Sequence, residues 1–317
     1  MPIKPERLNP GDTVAVVAPA SPATAPANVD LILKRIDQLG FKPRLAPHAR
    51  DRHGYLAGSD RDRAADLMRV FLDPKIQAVF CVRGGYGTAR LLPLLDFDAL
   101  RRHPKIFVGC SDITSLLCAL LKKAELLSFH GPMLQSDCLK PAPPEFTRQR
   151  CWQTLMHPVA PGSICQGYEK STVRVLRKGT VSGQLIGGNL SVLCASVGTP
   201  WEPVFRKRIL FFEDVAEAPY RIDRMLTHLL NAGLLGQVAG IAVGVNHNCV
   251  DSKAAQSREY RQTVDDVLEE RLLPLKVPVV TGLPFGHGPH NATLPLGGRA
   301  TLDAVTGDLI LTEAAVR

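Results

Sequence analysis

Residues 106–123 read IFVGCSDITSLLCALLKK. The first four residues are an unbroken apolar run, the polar pair Ser111-Asp112 interrupts it, and apolar residues then recur through to Lys123. This reads as a buried strand over 106–109, a tight turn, and a helix over Asp112–Lys123. A strand that turns straight into a helix is the repeating step of a parallel sheet covered by helices. The same step occurs upstream. IQAVFCV (76–82) is a buried strand that ends in Arg83-Gly84-Gly85-Tyr86-Gly87, and Thr88 opens a helix. VAVVAPA (14–20) follows the turn Gly11-Asp12 as a further strand. Asn28–Leu39 and Arg61–Leu72 carry apolar residues at helical spacing, the first stopping at Gly40. The expected fold class is α/β, with an N-terminal parallel-sheet domain over residues 1–140.

The character changes near residue 139. PAPP at 141–144 and Pro158, Pro161 and Gly162 mark residues 141–170 as a linker with one short helix over Arg148–Met156. Short strand-like runs follow at 171–176, 179–187 and 208–215, then a helix over Ile222–Asn231 and a strand at 239–245. The C-terminal stretch suits a hairpin around Thr306-Gly307. Residues 171–317 are therefore expected to form a second, β-rich mixed domain.

Bulk properties narrow the function. The 317 residues are 45% apolar and 21% charged, the profile of a folded soluble chain. No apolar run approaches the ~20 residues that span a bilayer. The N-terminus MPIKPERLNPGD lacks the apolar stretch of a secretory signal, so a cytoplasmic protein with no membrane association is expected. The eight cysteines form no C-x-x-C pair and suit free thiols in a reducing compartment. The net charge of +8 is spread along the chain, with only short basic runs at 101–105 and 206–208. It suits an anionic small substrate better than nucleic acid, whose binding would be steeply salt-dependent.

Four segments carry candidate chemistry. Ser111 stands where a parallel strand meets a helix, the edge at which open α/β sheets bind ligands. The N–H of Asp112 and the helix that follows would favour an oxyanion there, although Ser-Asp is also an ordinary helix cap. Cys110 precedes Ser111 and so points the other way. The Arg83–Gly87 loop allows close backbone approach, and the N–H groups of such a loop suit an anion. Glu213 ends the run ILFF and is placed to orient a histidine, with Glu217 as competitor. His287 lies between glycines in PFGHG, with His290 close by, and spacing does not choose between them.

In order along the chain, GDTVAVVAPASP (11–22), YLAGSD with RAADL (55–67), VRGGYGTARLL (82–92), VGCSDITSLL (108–117), HGPM (130–133), GQLIGGNLSVL (183–193), FFEDVAEAPYRIDRMLTHL (211–229) and GLPFGHG with LPLG (282–297) resemble the LD-carboxypeptidase family of serine peptidases. The resemblance implies an α/β N-terminal domain and a β-rich C-terminal domain. It implies a Ser…Glu…His triad falling on Ser111, Glu213 and His287, with oxyanion donors at the amides of Gly85 and Asp112. Arg83, at the mouth of the glycine loop, is the candidate for substrate binding. The implied substrate is a muropeptide tetrapeptide whose terminal D-alanine is removed in cell-wall recycling; a homodimer and no metal or organic cofactor are also implied. Another branch gives immunity to microcin-type nucleotide antibiotics and carries an aromatic-bearing loop before the catalytic glutamate. No obvious insertion is present here, although Trp201 is nearby. A non-catalytic α/β ligand-binding protein is the rival from outside enzymology.

Overall fold

The computed structural model describes residues 2–138, 144–250 and 262–317. Five parallel strands form its N-terminal sheet: β1 (Thr13–Val17), β2 (Lys42–Leu45), β3 (Ala78–Cys81), β4 (Ile106–Gly109) and β5 (Ser128–His130). They lie in the order β5-β4-β3-β1-β2. β3 and β4 are buried along their whole length, which explains their unbroken apolar sequences.

Between the strands run α1 (Pro26–Gln38), α2 (Asp60–Leu72), α3 (Phe97–Arg102) and α4 (Thr114–Lys123). Helix α1 buries Val29, Ile32 and Ile36, one face of a 3.6-residue repeat. Helix α2 starts where Ser59 accepts the amide of Asp62, and α3 where Asp96 accepts the amide of Ala99. Helix α4 is buried all round through Leu121. Full burial of each of Leu116, Leu117 and Leu120 contributes about 1.5–3 kcal/mol. The helix expected at Thr88 is a 3-10 turn, Thr88–Leu94, because Pro93 cannot continue an α-helix.

The second sheet has eight strands: β6 (Gly162–Ser163), β7 (Arg174–Arg177), β8 (Thr180–Asn189), β9 (Ile209–Glu213), β10 (Gly240–Gly244), β11 (Val279–Leu283), β13 (Arg299–Asp303) and β14 (Asp308–Leu311). Their order is β6-β14-β13-β8-β9-β10-β11-β7. The centre, β8-β9-β10-β11, is parallel, and the flanks are antiparallel. The β13–β14 hairpin turns at the Thr306-Gly307 signal. Helices α5 (Glu145–Met156), α6 (Leu190–Ala195), α7 (Pro219–Asn231) and α8 (Val264–Leu272) complete the fold. Residues 141–143 of the expected linker lie outside the described residues, and α5 begins three residues before the expected helix.

Strand β12 (Leu294–Leu296) returns from the C-terminal part and pairs antiparallel with β5, closing the N-terminal sheet as its sixth strand. Among the described residues, no helix is long and apolar enough to cross a membrane.

Candidate active site

Ser111 follows β4 by two residues. Cys110 is extended, with φ −147° and ψ −173°, and Ser111 then turns to φ 61°, in the left-handed region. A serine held there costs on the order of 1–3 kcal/mol, and such strain occurs where a side chain must be presented at a strand-to-helix turn. Residues Ser111–Ile113 form a 3-10 turn that leads into α4. Asp112 is buried and holds the turn. Its Oδ2 accepts the Thr88 amide at 2.9 Å, and Thr88 Oγ1 donates to its carbonyl at 2.5 Å.

The glycine loop is pinned beside this turn. The Ser21 amide donates to the Gly84 carbonyl at 3.3 Å, and the Tyr86 amide donates to Ser21 Oγ at 3.2 Å. Buried Arg63 donates to the Gly87 carbonyl at 3.1 Å. A Cβ built on Gly84 would stand 2.8 Å from Ser111 Cβ and 3.3 Å from the Asp112 nitrogen, so the loop lies directly against the serine. Gly85 has φ 111°, and a Cβ there would overlap Ser21 Oγ at 2.3 Å; only glycine suits the position. Among the described residues, the amides of Gly85 and Asp112 donate to no other group. Arg83 is half-buried at the start of the loop and makes no hydrogen bond or ion pair among the described residues.

Glu213, the last residue of β9, is fully buried. Its Oε2 lies 2.6 Å from His287 Nδ1 and also accepts the His287 amide at 3.2 Å. The loop holding His287 follows β11 and is fixed by Asn291, whose Oδ1 accepts the Gly286 amide at 3.1 Å. His287 is 19% exposed. Burial opposes its charge, but the hydrogen bond and charge of Glu213, with the charges of Asp214 and Asp137, outweigh it and raise the imidazole above its ordinary value. Burial likewise opposes the Glu213 charge, and His287 outweighs it, so the carboxyl is held below its ordinary range. Nδ1–H is then the donor, and Nε2 carries the free lone pair.

The end of β8 joins the two groups. Asn189 stands opposite Glu213 in the β8–β9 register. Its amide donates to Thr114 Oγ1 at 3.0 Å, and its side chain donates to Asp214 Oδ1 at 3.0 Å. One residue thus links the first turn of α4, three residues from Ser111, to the neighbour of Glu213. Ser111 Oγ makes no hydrogen bond with His287 among the described residues; contacts of this kind commonly tighten only around substrate.

The competing residues are occupied elsewhere. Cys110 is buried, and desolvation pushes its thiol well above the ordinary range. Glu217 faces Arg221 at 3.4 Å. His290 packs edge-on against Phe146 and Tyr168. Trp201 lines an apolar cleft with Leu92, Cys118 and Leu193. Sequence reasoning by single residues passed over Asn189, Asp214 and His130. Their signal was membership of the runs GQLIGGNLSVL, FFEDV and HGPM, which carry no chemistry until the strands are placed side by side.

Known proteins share this architecture. Residues 14–131 match the LD-carboxypeptidase N-terminal domain, and residues 182–302 match the LD-carboxypeptidase C-terminal domain. A probable murein peptide carboxypeptidase of Bacillus subtilis is 39% identical over 322 residues, covering 99% of this chain and 95% of the relative. The crystal structure of a muramoyltetrapeptide carboxypeptidase from Oxalobacter formigenes superimposes with a TM-score of 0.81 at 32% identity, over 94% of this chain and 97% of that one. The structure of MccF in complex with glutamyl sulfamoyl guanosine gives a TM-score of 0.88 at 25% identity, over 100% of both chains. With both domains matched and 39% identity along almost its whole length, the chain belongs to the LD-carboxypeptidase family of peptidases.

Proposed function

We propose that the protein is a serine-type L,D-carboxypeptidase that removes the terminal D-alanine from murein tetrapeptides. In this reading Ser111 Oγ attacks the scissile carbonyl and His287 Nε2 takes its proton. Glu213 holds the imidazole tautomer and stabilises the imidazolium. The amides of Gly85 and Asp112 receive the oxyanion, each commonly worth ~3 kcal/mol. His287 then protonates the leaving amine, and water repeats the attack on the acyl-enzyme. The observation that carries the reading is the 2.6 Å contact between buried Glu213 and His287 at the carboxyl ends of β9 and β11, together with the strained serine that follows β4 of the other sheet. The murein specificity rests on the names of the relatives and on Arg83, a cation beside the glycine loop that suits a terminal carboxylate.

The test is release of alanine from four peptides: the tetrapeptide, its C-terminal amide, its L-alanine analogue and the pentapeptide. Only the first should be cleaved. Ser111→Ala should lower turnover by roughly 10,000-fold or more, and Cys110→Ala should leave it near wild type. Equal release from L- and D-terminated peptides would sink the L,D assignment. The likeness to MccF supports a second reading, an aminoacyl-nucleotide peptidase. Faster cleavage of an aminoacyl sulfamoyl nucleotide than of the tetrapeptide would favour it.

A further inference from the structure

His130 is the last residue of β5, opposite Gly109 of β4 on one side and Leu294 of β12 on the other. It is fully buried. Its ring meets Phe211 edge-on at 5.5 Å and Phe285 at 6.4 Å, and those two phenylalanines meet each other at 5.7 Å. Phe211 precedes Glu213 by two residues in an extended strand, so their side chains share a face. Phe285 precedes His287 by two. The imidazole is therefore wedged against the residues next but one to both the acid and the base, on the strand beside the one that leads to Ser111.

Two buried groups there lack partners. Among the described residues, neither ring nitrogen of His130 has a hydrogen bond, and neither does Glu213 Oε1, the carboxylate oxygen that His287 does not use. Burying such atoms unpaired is costly, and an imidazole N–H beside a carboxylate oxygen is a complementary pair. Burial drives the His130 value down to about 4, so the ring is neutral near pH 7 and has one donor to give. The Glu213 charge acts on His130, and His130 acts on Glu213, which places them within electrostatic reach.

We propose that His130 is a positioning residue, whose ring N–H donates to Glu213 Oε1, directly after a small side-chain turn or through one bridging water, and so fixes the carboxylate that orients His287. The inference rests on the Ser111–His287–Glu213 reading above. The charged and titratable groups acting on His287 are Glu213, Asp214 and Asp137, and those acting on His130 are Glu213 and His287.

The test compares His130→Phe, which keeps the ring contacts but has no donor, with His130→Gln, which keeps a donor. The expected result for Phe is a kcat lowered roughly ten- to hundredfold with KM within twofold. The acid limb of its kcat/KM profile should move to higher pH, because a carboxylate missing a donor holds the imidazolium more tightly. His130→Gln should recover most of the rate. Wild-type kcat and an unmoved limb in His130→Phe would overturn the proposal, as would equal loss in both variants accompanied by equal loss of thermal stability. If the wild-type enzyme cleaves no peptide, the reading of function fails instead. Titration of His287 by NMR in wild type and His130→Phe then decides the positioning role without substrate: an upward shift of its pKa supports it, and an unchanged pKa overturns it.

Discussion

At the scale of single residues, the chemistry depends on which of two neighbours faces the site. Glu213 and Glu217 are four apart, and only Glu213 ends a buried strand beside an imidazole. Because Glu213 raises the His287 value, the base form is depleted below that raised value, and kcat/KM should fall as pH drops through it. Glu213→Gln removes the charge and can present an amide N–H in place of the acceptor, which favours the wrong imidazole tautomer. The acid limb should then move to lower pH while kcat falls by about 1,000-fold or more. A pH–rate profile of the variant superimposable on that of wild type would show that Glu213 does not act on His287. Ser111, Glu213 and His287 were each legible as candidates from residue type and flanking pattern, and the family's motif order chose among them. His130 was not legible as more than part of HGPM. A lone histidine in an apolar stretch has no chemistry until its neighbours are known, and these are Phe211 of β9 and Phe285 of the loop after β11, more than 80 residues away in sequence.

At the scale of elements, the site is a set of strand ends. Ser111 follows β4, Glu213 closes β9 and His287 follows β11, all parallel strands. Long buried strands and amphipathic helices were readable because their periodicity is intrinsic to the sequence. Strand β12 was not. Its three residues, Leu294-Pro295-Leu296, are too few to show a period, and pairing with β5 is what makes them a strand. The loops between strands carry the precision. Gly286 has φ 102°, and a Cβ there would stand 2.5 Å from Glu213 Cγ and 2.7 Å from its Oε2. Gly286→Ala must therefore strain the loop and push the carboxylate off His287. About 2 kcal/mol of stability should be lost, with activity reduced further than stability alone explains. Denaturant unfolding together with kcat measures both. A fully active, equally stable Gly286→Ala would mean that the loop adapts freely and that the 2.6 Å contact is not held by its backbone.

At the scale of the whole molecule, the two sheets are tied where β5, β12, β9 and the loop after β11 meet around His130. Protonating His130 there strains the junction rather than one loop, so its titration should appear in global stability. The direction follows from linkage. The ordinary histidine value is 6.5, and burial lowers His130 to about 4. Between those values the unfolded chain binds a proton that the folded chain does not, so stability falls as pH falls through this window. The full effect is at most roughly 3–4 kcal/mol, since one unit corresponds to about 1.4 kcal/mol. His287 and His48 have raised values, so their stabilising contributions grow as pH falls towards 6.5 and are complete below it. Among these three histidines the window from 6.5 down to about 4 belongs to His130; burial raises the carboxyls of Asp66, Asp112 and Asp214, which act in the opposite direction as pH falls, so the His130 share is read as the difference between wild type and His130→Phe. Urea unfolding of wild type at steps from pH 7.5 to 4.5 should show stability declining below 6.5. In His130→Phe that part of the decline should be absent, whatever the variant's stability at pH 7.5. Parallel pH dependences in the two proteins would mean that the buried imidazole takes up its proton at an ordinary value, and that burial at the junction does not depress it.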